Sequence, residues 1–274
     1  MEAGPGEPLI LHGRHPVIEA LRAGPRRVDE VLLARDTRLA GEVAALARSA
    51  GVRCVSVPRA ALTALAGTPH HQGVVARVAA RDYASLEEVL AVPAARGETA
   101  WLLVLDQIQD PGNVGNLFRT AAALGVHGVI LPRHQAAGLT PHAVKAAAGA
   151  LEYLPVARVG NLAQTLDVLK RAGCWVIGGT AADPGARPPW ELDLRGPVAL
   201  VLGSEGRGMR PLVSRTCDAL TRIPLAGRLS SLNVAAAGAA LLYEMARQRA
   251  LGRRGGPEGP AWGEKAVDRI GVRE

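Results

Sequence analysis

Cysteine is scarce in this sequence, which has only three cysteines among 274 residues. They are Cys54, Cys174 and Cys217, and they stand far apart with no C-x-x-C spacing and no paired histidines nearby. Zinc sites and disulfide frameworks both have more regular spacings. The sequence therefore indicates no metal site and no disulfide, and we interpret each cysteine as a small buried hydrophobic side chain rather than a nucleophile.

Long uncharged apolar segments are also missing. The longest, from Val234 to Leu242, is much shorter than the roughly 20 residues of a membrane-spanning helix. The N-terminal stretch MEAGPGEPLI does not combine a basic region with an apolar one, as a secretory signal would. We expect a soluble protein of the cytoplasm with no membrane partner. Aromatic residues make up only 3%, so the core must consist mainly of Ala, Val and Leu.

Lysine is rare as well, because 29 of the 32 basic residues are arginines and the formal net charge is +7. The planar guanidinium group fits phosphate and stacks on bases, which favours a nucleic-acid partner. The arginine and alanine usage of a GC-rich genome explains the same composition equally well. Composition alone leaves both interpretations open.

The first eighty residues predict a small α/β sandwich, because helical and strand patterns alternate along them. The predicted elements are a helix over 12–24, a strand over 28–35, a helix over 37–51, a strand over 52–58, a helix over 59–67 and a strand over 72–80. Residues 81–99 lose this alternation and contain Pro, Arg and Gly near their end, so we predict a linker there.

Residues 100–250 predict a second α/β domain, which begins with the continuous apolar strand WLLVLD. The further elements are a helix over 113–125, a strand over 127–132, helices over 141–151 and 161–173, strands over 174–180, 197–203 and 219–224, and a helix from 234. Five parallel strands with crossover helices would place a ligand beyond the carboxyl ends of the strands. The Gly- and Arg-rich residues 251–274 predict a flexible tail.

Three loops of this domain carry candidate functional residues. In DQIQDPGNVGNLFRT, Asn113 can cap the following helix, and Arg119 on spacing alone is a solvated helix arginine. In LVLGSEGRGM, Glu205 stands among three glycines, which indicate either a ligand close to the backbone or several residues with positive φ. In IPLAGRLSSLNVAAAGAALLYEM, Ser231 and Asn233 can cap a helix or bind a ligand, and the Ala/Gly run permits a close backbone approach or a tight core.

Taken in order, the three loops resemble the three motifs of the SpoU family of RNA ribose methyltransferases, also called the TrmH family, within the SPOUT superfamily. The resemblance covers Trp101 to Arg249, and the N-terminal GRHPVIEAL resembles the start of the L30e-like RNA-binding domain of some members. It implies a parallel sheet with a deep trefoil knot, a homodimer formed through the C-terminal domain, and the cofactor S-adenosylmethionine. The implied reaction is methyl transfer to a ribose 2′-hydroxyl, here of a guanosine in large-subunit ribosomal RNA.

The resemblance also assigns roles to particular residues. The catalytic positions are Asn113, Arg119, Glu205, Ser231 and Asn233. The cofactor-binding positions are Thr180, Gly203, Ile223 and Leu232. The candidates for RNA binding in the first domain are Arg14, His15 and Arg22, although a GRHP turn is also a helix entry that needs no ligand.

Other functions remain open from the sequence. A transfer-RNA or antibiotic-resistance ribose methyltransferase would carry the same motifs. A catalytically silent RNA-binding assembly factor would have no chemical reason to keep all five polar positions. A nucleotide-dependent oxidoreductase is excluded, because neither domain has a dinucleotide-binding fingerprint in its first strand-helix turn.

Overall fold

The structure is a computed structural model that describes residues 9–23, 28–35, 40–79 and 82–252. Most of the predicted tail, from residue 253 onward, lies outside the described residues. The contacts divide the chain into two compact units, of which the first takes the residues up to Asp82 together with Gly138–Tyr153. Among the described residues, no helix has the length and apolar character needed to cross a bilayer.

The first unit is a small α/β fold around a four-stranded mixed sheet, as the alternating pattern predicts. Its elements are β1 (Leu9–His12), α1 (Arg14–Ala23), β2 (Val28–Ala34), α2 (Ala40–Ser49), β3 (Arg53–Val57), α3 (Arg59–Ala66) and β4 (Val74–Val78). The strand order is β1-β4-β2-β3, with β2 and β3 parallel and the other pairs antiparallel. We did not predict β1, because four residues directly before a helix are too few to show an alternating pattern.

The second unit contains a six-stranded, all-parallel sheet in the order β10-β8-β9-β5-β6-β7. Its elements are α4 (Leu86–Arg96), β5 (Trp101–Asp106), α5 (Pro111–Leu124), β6 (Gly128–Pro132), β7 (Val156–Val159), α7 (Leu162–Arg171), β8 (Trp175–Gly179), β9 (Val198–Gly203), α8 (Pro211–Thr216), β10 (Ala219–Thr221) and α9 (Val234–Gly252). Every residue of β5 and β9 is buried, as their apolar runs predict. The sixth strand is β7, which we missed because it is only four residues long. The trefoil knot stays a prediction.

A helix lies where we predicted the linker. Ser85 and Glu88 form a reciprocal capping box at the start of α4, and Val89, Leu90 and Pro93 are buried. The S-x-x-E signature of this cap is visible in the sequence, but the Ala, Pro and Gly residues near its end suggested a loop. Residues 86–96 are therefore part of the packed second unit.

Gly138–Tyr153, most of the segment between β6 and β7, belongs to the first unit by its contacts, whereas we expected its helix in the second domain. It contains α6 (Pro141–Ala147), which begins at the N-cap Thr140. Val144 packs against the core of the first unit, and the Tyr153 hydroxyl donates to a Glu19 carboxylate oxygen at 2.9 Å. Helical periodicity predicts such a helix but not the sheet against which it packs.

Small residues in α9 let this helix lie directly against α5 and β9. A Cβ on Gly238 would stand 2.4 Å from Leu117 Cδ2 and 2.8 Å from Leu202 Cδ1, well inside van der Waals contact. The Ala/Gly run therefore serves a tight core at this point, which is one of the two explanations that the sequence left open. The close packing also brings the beginnings of α5 and α9 together.

Candidate active site

The three polar loops meet in one hydrogen-bond network at the carboxyl ends of the parallel strands. The Asn113 side-chain amide donates to Glu205 Oε1 at 3.0 Å, and the Asn233 amide donates to the same oxygen at 2.6 Å. Asn233 also donates to Asn113 Oδ1 at 2.9 Å. Three of the five predicted catalytic residues are thus in direct contact, although Asn113 and Glu205 are 92 residues apart in the chain.

The termini of two helices hold this network in place. Asn233 caps α9, because its Oδ1 accepts from the backbone N–H groups of Ala235 at 2.9 Å and Ala236 at 3.2 Å. The Val234 N–H donates to Glu205 Oε1 at 3.2 Å, so a carboxylate lies at the positive end of the α9 dipole. The N-cap of α5 is Asp110 and not Asn113 as we predicted: its Oδ1 accepts from the Asn113 N–H at 2.6 Å, and Asn113 lies in the first turn of the helix. Helix capping therefore fixes both asparagines and the carboxylate between them.

The loop that presents Glu205 is closed on itself. Ser204 and Gly208 exchange two backbone hydrogen bonds, of 3.0 and 2.9 Å, and Gly206 and Gly208 have φ values of 78° and 69°. A Cβ on Gly203 would lie 2.1 Å from the carbonyl carbon of Gly208. Positive φ, the second possibility that we considered, explains Gly206 and Gly208, and the close approach of the returning backbone explains Gly203.

A partly buried ion pair that we did not predict anchors the far end of the same loop. Asp106, the last residue of β5, is fully buried and accepts from the Arg210 backbone N–H and from Arg210 Nε, both at 2.8 Å. A buried carboxylate is stable only when it is paired and hydrogen-bonded. The signal in the sequence was an aspartate that ends an otherwise apolar strand, WLLVLD.

Arg119 and Ser231 are not joined to the network. Arg119 is exposed on α5, and Ser231 is exposed in the loop before α9. Neither side chain makes a hydrogen bond or an ion pair with another residue that the structure describes. An exposed guanidinium without a partner is available to an external anion such as an RNA phosphate.

The loop from Ile223 to Leu232 has the polar groups that a wrapped ligand needs. In the described part of the chain, no backbone N–H or C=O of this loop forms a hydrogen bond with another backbone group, and most of its residues are exposed. Because the loop is exposed, these donors and acceptors face solvent and are accessible to the adenine edge and the amino-acid group of a cofactor. Two of the four predicted cofactor positions lie at the ends of this loop.

Of the other two predicted cofactor positions, Thr180 directly follows β8 and Gly203 is the last residue of the neighbouring strand β9. The Thr180 N–H donates to the Thr221 carbonyl at 2.9 Å, and its hydroxyl accepts from the Ala182 N–H at 3.2 Å. Thr180, Gly203 and Ile223 therefore stand at or just beyond the carboxyl ends of the adjacent strands β8, β9 and β10, where ligands of parallel sheets bind, whereas Leu232 lies just before α9.

The predicted RNA-binding residues of the first unit differ in whether their side chains already have a partner. Arg14 donates through Nε to Glu42 Oε2 at 3.2 Å, and Arg22 pairs with Glu19 at 3.3 Å. His15 is exposed on α1. Exposed pairs of this kind stabilise the fold little and can be exchanged for phosphate contacts.

The three cysteines are free thiols and differ in burial. Cys174 is buried as predicted, whereas Cys54 and Cys217 are only partly buried. Burial raises the pKa of the Cys174 and Cys217 thiols to about 12, which keeps both protonated and unreactive near neutral pH. The described residues contain no cluster of His, Cys, Asp or Glu side chains that could hold a metal ion.

Comparison with known families gives this geometry a chemical class. The model of the SpoU rRNA methylase family matches residues 100–243. The model described as RNA 2′-O ribose methyltransferase substrate binding matches residues 10–84. Fold, site and matches define an RNA 2′-O-ribose methyltransferase that uses S-adenosylmethionine. The chain belongs to the SpoU family, as its motifs predict.

Individual relatives are similar over nearly the whole chain. A 23S rRNA (guanosine-2′-O-)-methyltransferase RlmB from Burkholderia is 45% identical over 243 residues, which are 88% of this chain and 96% of that protein. YacO of Bacillus subtilis, named only as a TrmH-family tRNA/rRNA methyltransferase, is 42% identical over 86% of this chain and 94% of its own. The crystal structure of AviRb from Streptomyces viridochromogenes in complex with AdoMet covers 89% of this chain and 91% of its own, with 28% identity and a TM-score of 0.72.

We expect Glu205→Ala to slow methyl transfer by roughly 100-fold, because a small displacement of positioning groups has effects of that order. The substitution removes the acceptor shared by Asn113, Asn233 and Val234. Glu205→Gln keeps one acceptor oxygen and should lose less activity. Single-turnover rates measure both variants, and equal rates for the alanine variant and the wild type would show that the network has no part in the reaction.

Proposed function

We propose that the chain methylates the 2′-hydroxyl of a guanosine in 23S ribosomal RNA, in the cytoplasm. Two RlmB relatives, at 45% and 42% identity over 88% of this chain, support this target most directly. The assembled Asn113–Glu205–Asn233 network supports a catalytic protein over a silent RNA-binding factor, because a protein that only binds RNA has no need of it.

The residues of the site have three tasks in this reaction. S-adenosylmethionine supplies an activated methyl group, and the loop from Ile223 to Leu232 would hold the cofactor with its backbone. The network of Asn113, Glu205 and Asn233 keeps the surrounding loops in register. Arginine remains protonated in proteins, so Arg119 binds the RNA phosphate and orients the ribose hydroxyl rather than accepting its proton.

The first unit would provide a second contact with RNA. The substrate-binding family matches residues 10–84, which include all three predicted RNA contacts. Arg14 and Arg22 would exchange their exposed carboxylate partners for phosphates, and His15 is already free to contact the RNA. We therefore propose residues 10–84 as the substrate-binding domain and residues 100–250 as the catalytic domain.

We also propose a homodimer that forms through α9. Ala236, Ala240 and Tyr243 are exposed on this helix and repeat at spacings of four and three residues, the pattern of a helix-packing seam. Tyr243 is 64% exposed, which is unusual for a tyrosine in the middle of a long helix. A second copy of α9 would cover this apolar stripe.

Ala240→Arg should convert the dimer to a monomer, because it places a bulky charge in the middle of this stripe. Light scattering after gel filtration measures the mass of the particle. Gln164→Arg, which adds the same charge to the exposed side of α7, serves as the control and should remain dimeric. A wild-type protein of monomer mass, or an Ala240→Arg variant of dimer mass, would contradict the proposed interface.

The proposed target is tested with labelled S-adenosylmethionine and RNA from a strain that lacks the gene. Purified protein should label 23S RNA, and digestion should release the label as 2′-O-methylguanosine. Label in transfer RNA instead would make the chain a tRNA ribose methyltransferase. No label in any RNA or ribosomal particle, despite cofactor binding, would favour the silent RNA-binding factor.

A further inference from the structure

A polar cavity lies next to the Asn113–Glu205 contact. It has a volume of about 330 Å³, within the range of roughly 300–1,000 Å³ that is usual for small-molecule sites. Gln107 and Gln135, which follow the hydrogen-bonded strands β5 and β6, form part of its wall, and Asp110 lies at the start of α5. Asn113 and Glu205 of the hydrogen-bond network also line the cavity, so a group bound there lies beside that network.

The two glutamines have an uncommon backbone conformation. Gln107 and Gln135 have φ values of 60° and 59°, in a left-handed region that non-glycine residues seldom occupy. Such residues cluster at binding sites, where the surrounding structure holds them. The Gln107 amide donates a hydrogen bond to Gln135 Oε1, which orients both side chains.

This hydrogen bond leaves polar atoms of both glutamines unused. A primary amide has two N–H donors and an acceptor oxygen, so the Gln107 oxygen and the Gln135 amino group remain available. Asp110 uses Oδ1 to cap α5, and its second carboxylate oxygen has no partner among the described residues. The wall of the cavity therefore offers amide donors beside a carboxylate acceptor.

This combination matches one RNA base better than the others. Guanine has two adjacent N–H donors on its Watson–Crick edge, N1–H and the 2-amino group, next to the acceptor O6. Adenine and cytosine present an unprotonated ring nitrogen at the corresponding position, which a carboxylate repels, and uracil has only one donor. Bases that are splayed out of a structured RNA are commonly recognised by hydrogen bonds to this edge.

We infer that this cavity receives the base of the target nucleotide, and that Asp110, with Gln107 and Gln135, makes the site selective for guanine. The inference rests on the proposed RNA methyltransferase function. The free Oδ2 of Asp110 accepts from N1–H, the remaining lone pair of Oδ1 accepts from the 2-amino group, and the amide N–H groups donate to O6. Arg207, which also lines the cavity, is exposed and available to a flanking phosphate.

Asp110→Asn tests the inference with little change to the fold. Asparagine caps helices about as well as aspartate, so α5 should still begin at this residue. In the asparagine variant Oδ1 still accepts from the Asn113 N–H, so the side-chain amino group replaces the free carboxylate oxygen. Its N–H donors would then face the N–H donors of guanine. We expect methylation of a synthetic RNA fragment around the guanosine that the wild type modifies to fall at least tenfold, and binding of S-adenosylmethionine to stay within twofold.

A change in base preference separates recognition from a structural effect. The same fragment is prepared with guanosine, inosine or adenosine at the target, since inosine lacks only the 2-amino group. The wild type should prefer guanosine to both by at least tenfold, and Asp110→Asn should lose most of that preference. Asp167→Asn, which alters an exposed carboxylate on α7, should behave as the wild type does.

Each other outcome has a definite meaning. Equal rates for the three fragments with the wild type, or an unchanged preference in Asp110→Asn, would overturn the inference while the methyltransferase function stands. Absence of methylation by the wild type on every RNA would overturn the proposed function itself. If Asp110→Asn does not fold, Gln135→Ala decides, because loss of its amide donors should weaken the preference for guanosine over adenosine.

Discussion

Arg119→Ala should lower the rate of methyl transfer by roughly 10²–10³-fold, the usual effect of removing one preorganised donor from an active site. Arg119 is exposed and has no partner within the described residues, so the substitution breaks no contact of the fold. Alanine is the best helix former, and α5 should keep its stability. Activity should therefore fall while the affinity for S-adenosylmethionine and the melting temperature remain close to those of the wild type.

Arg171→Ala is the matched control for this experiment. Arg171 is an exposed arginine in the last turn of α7, so its removal changes the net charge by the same amount. Single-turnover rates at saturating RNA separate the loss of a reacting contact from weaker RNA binding. If the two variants are slowed by the same factor, and only at RNA concentrations below saturation, then Arg119 merely adds to RNA binding as other basic residues do and has no part in the reaction.

Gly203→Ala should destabilise the second unit by roughly 3 kcal/mol, an effect typical of forcing extra volume into a packed site. The new methyl group would stand 2.1 Å from the backbone of Gly208 and Met209, which cannot move without opening the loop. Opening the loop displaces Glu205 from both asparagines. We expect a melting temperature lower by roughly 6–12 °C and methyl transfer close to background.

Gly160→Ala is the control that shows whether the loss of stability is specific to Gly203. A Cβ on Gly160 meets no atom within 4 Å, so this variant should melt within about a degree or two of the wild type. Differential scanning calorimetry measures both variants. A Gly203→Ala protein with wild-type stability and activity would mean that the loop does not close as the structure shows.

The sheet of the second unit was the most predictable part of the fold. β5 and β9 are buried along their whole length, and apart from Asp106 at the end of β5 they are continuous apolar runs, so the sequence shows them directly. The four-residue strands β1 and β7 escaped prediction, because so few residues do not establish a period. α4 escaped for a different reason, since its composition favoured a loop while its capping box and its packing determine a helix.

The sequence predicted the separate loops of the site but not the contacts between them. Motif resemblance identified Asn113, Glu205 and Asn233, but their meeting at a single carboxylate oxygen depends on the close packing of α9 against α5 at Gly238. Local patterns contain no information about contacts between residues so far apart in the chain. For the same reason the buried Asp106, which ties β5 to Arg210, was not foreseen.

The central claim is the transfer of a methyl group to a ribose 2′-hydroxyl, and partial alkaline hydrolysis of the RNA product tests it most directly. Alkaline cleavage needs a free 2′-hydroxyl, so a methylated ribose leaves one band missing from the ladder. After incubation of 23S RNA with purified protein and S-adenosylmethionine, we predict a single gap at a guanosine, and no gap with Arg119→Ala. A complete ladder from RNA that has gained a methyl group on a base would contradict the claim.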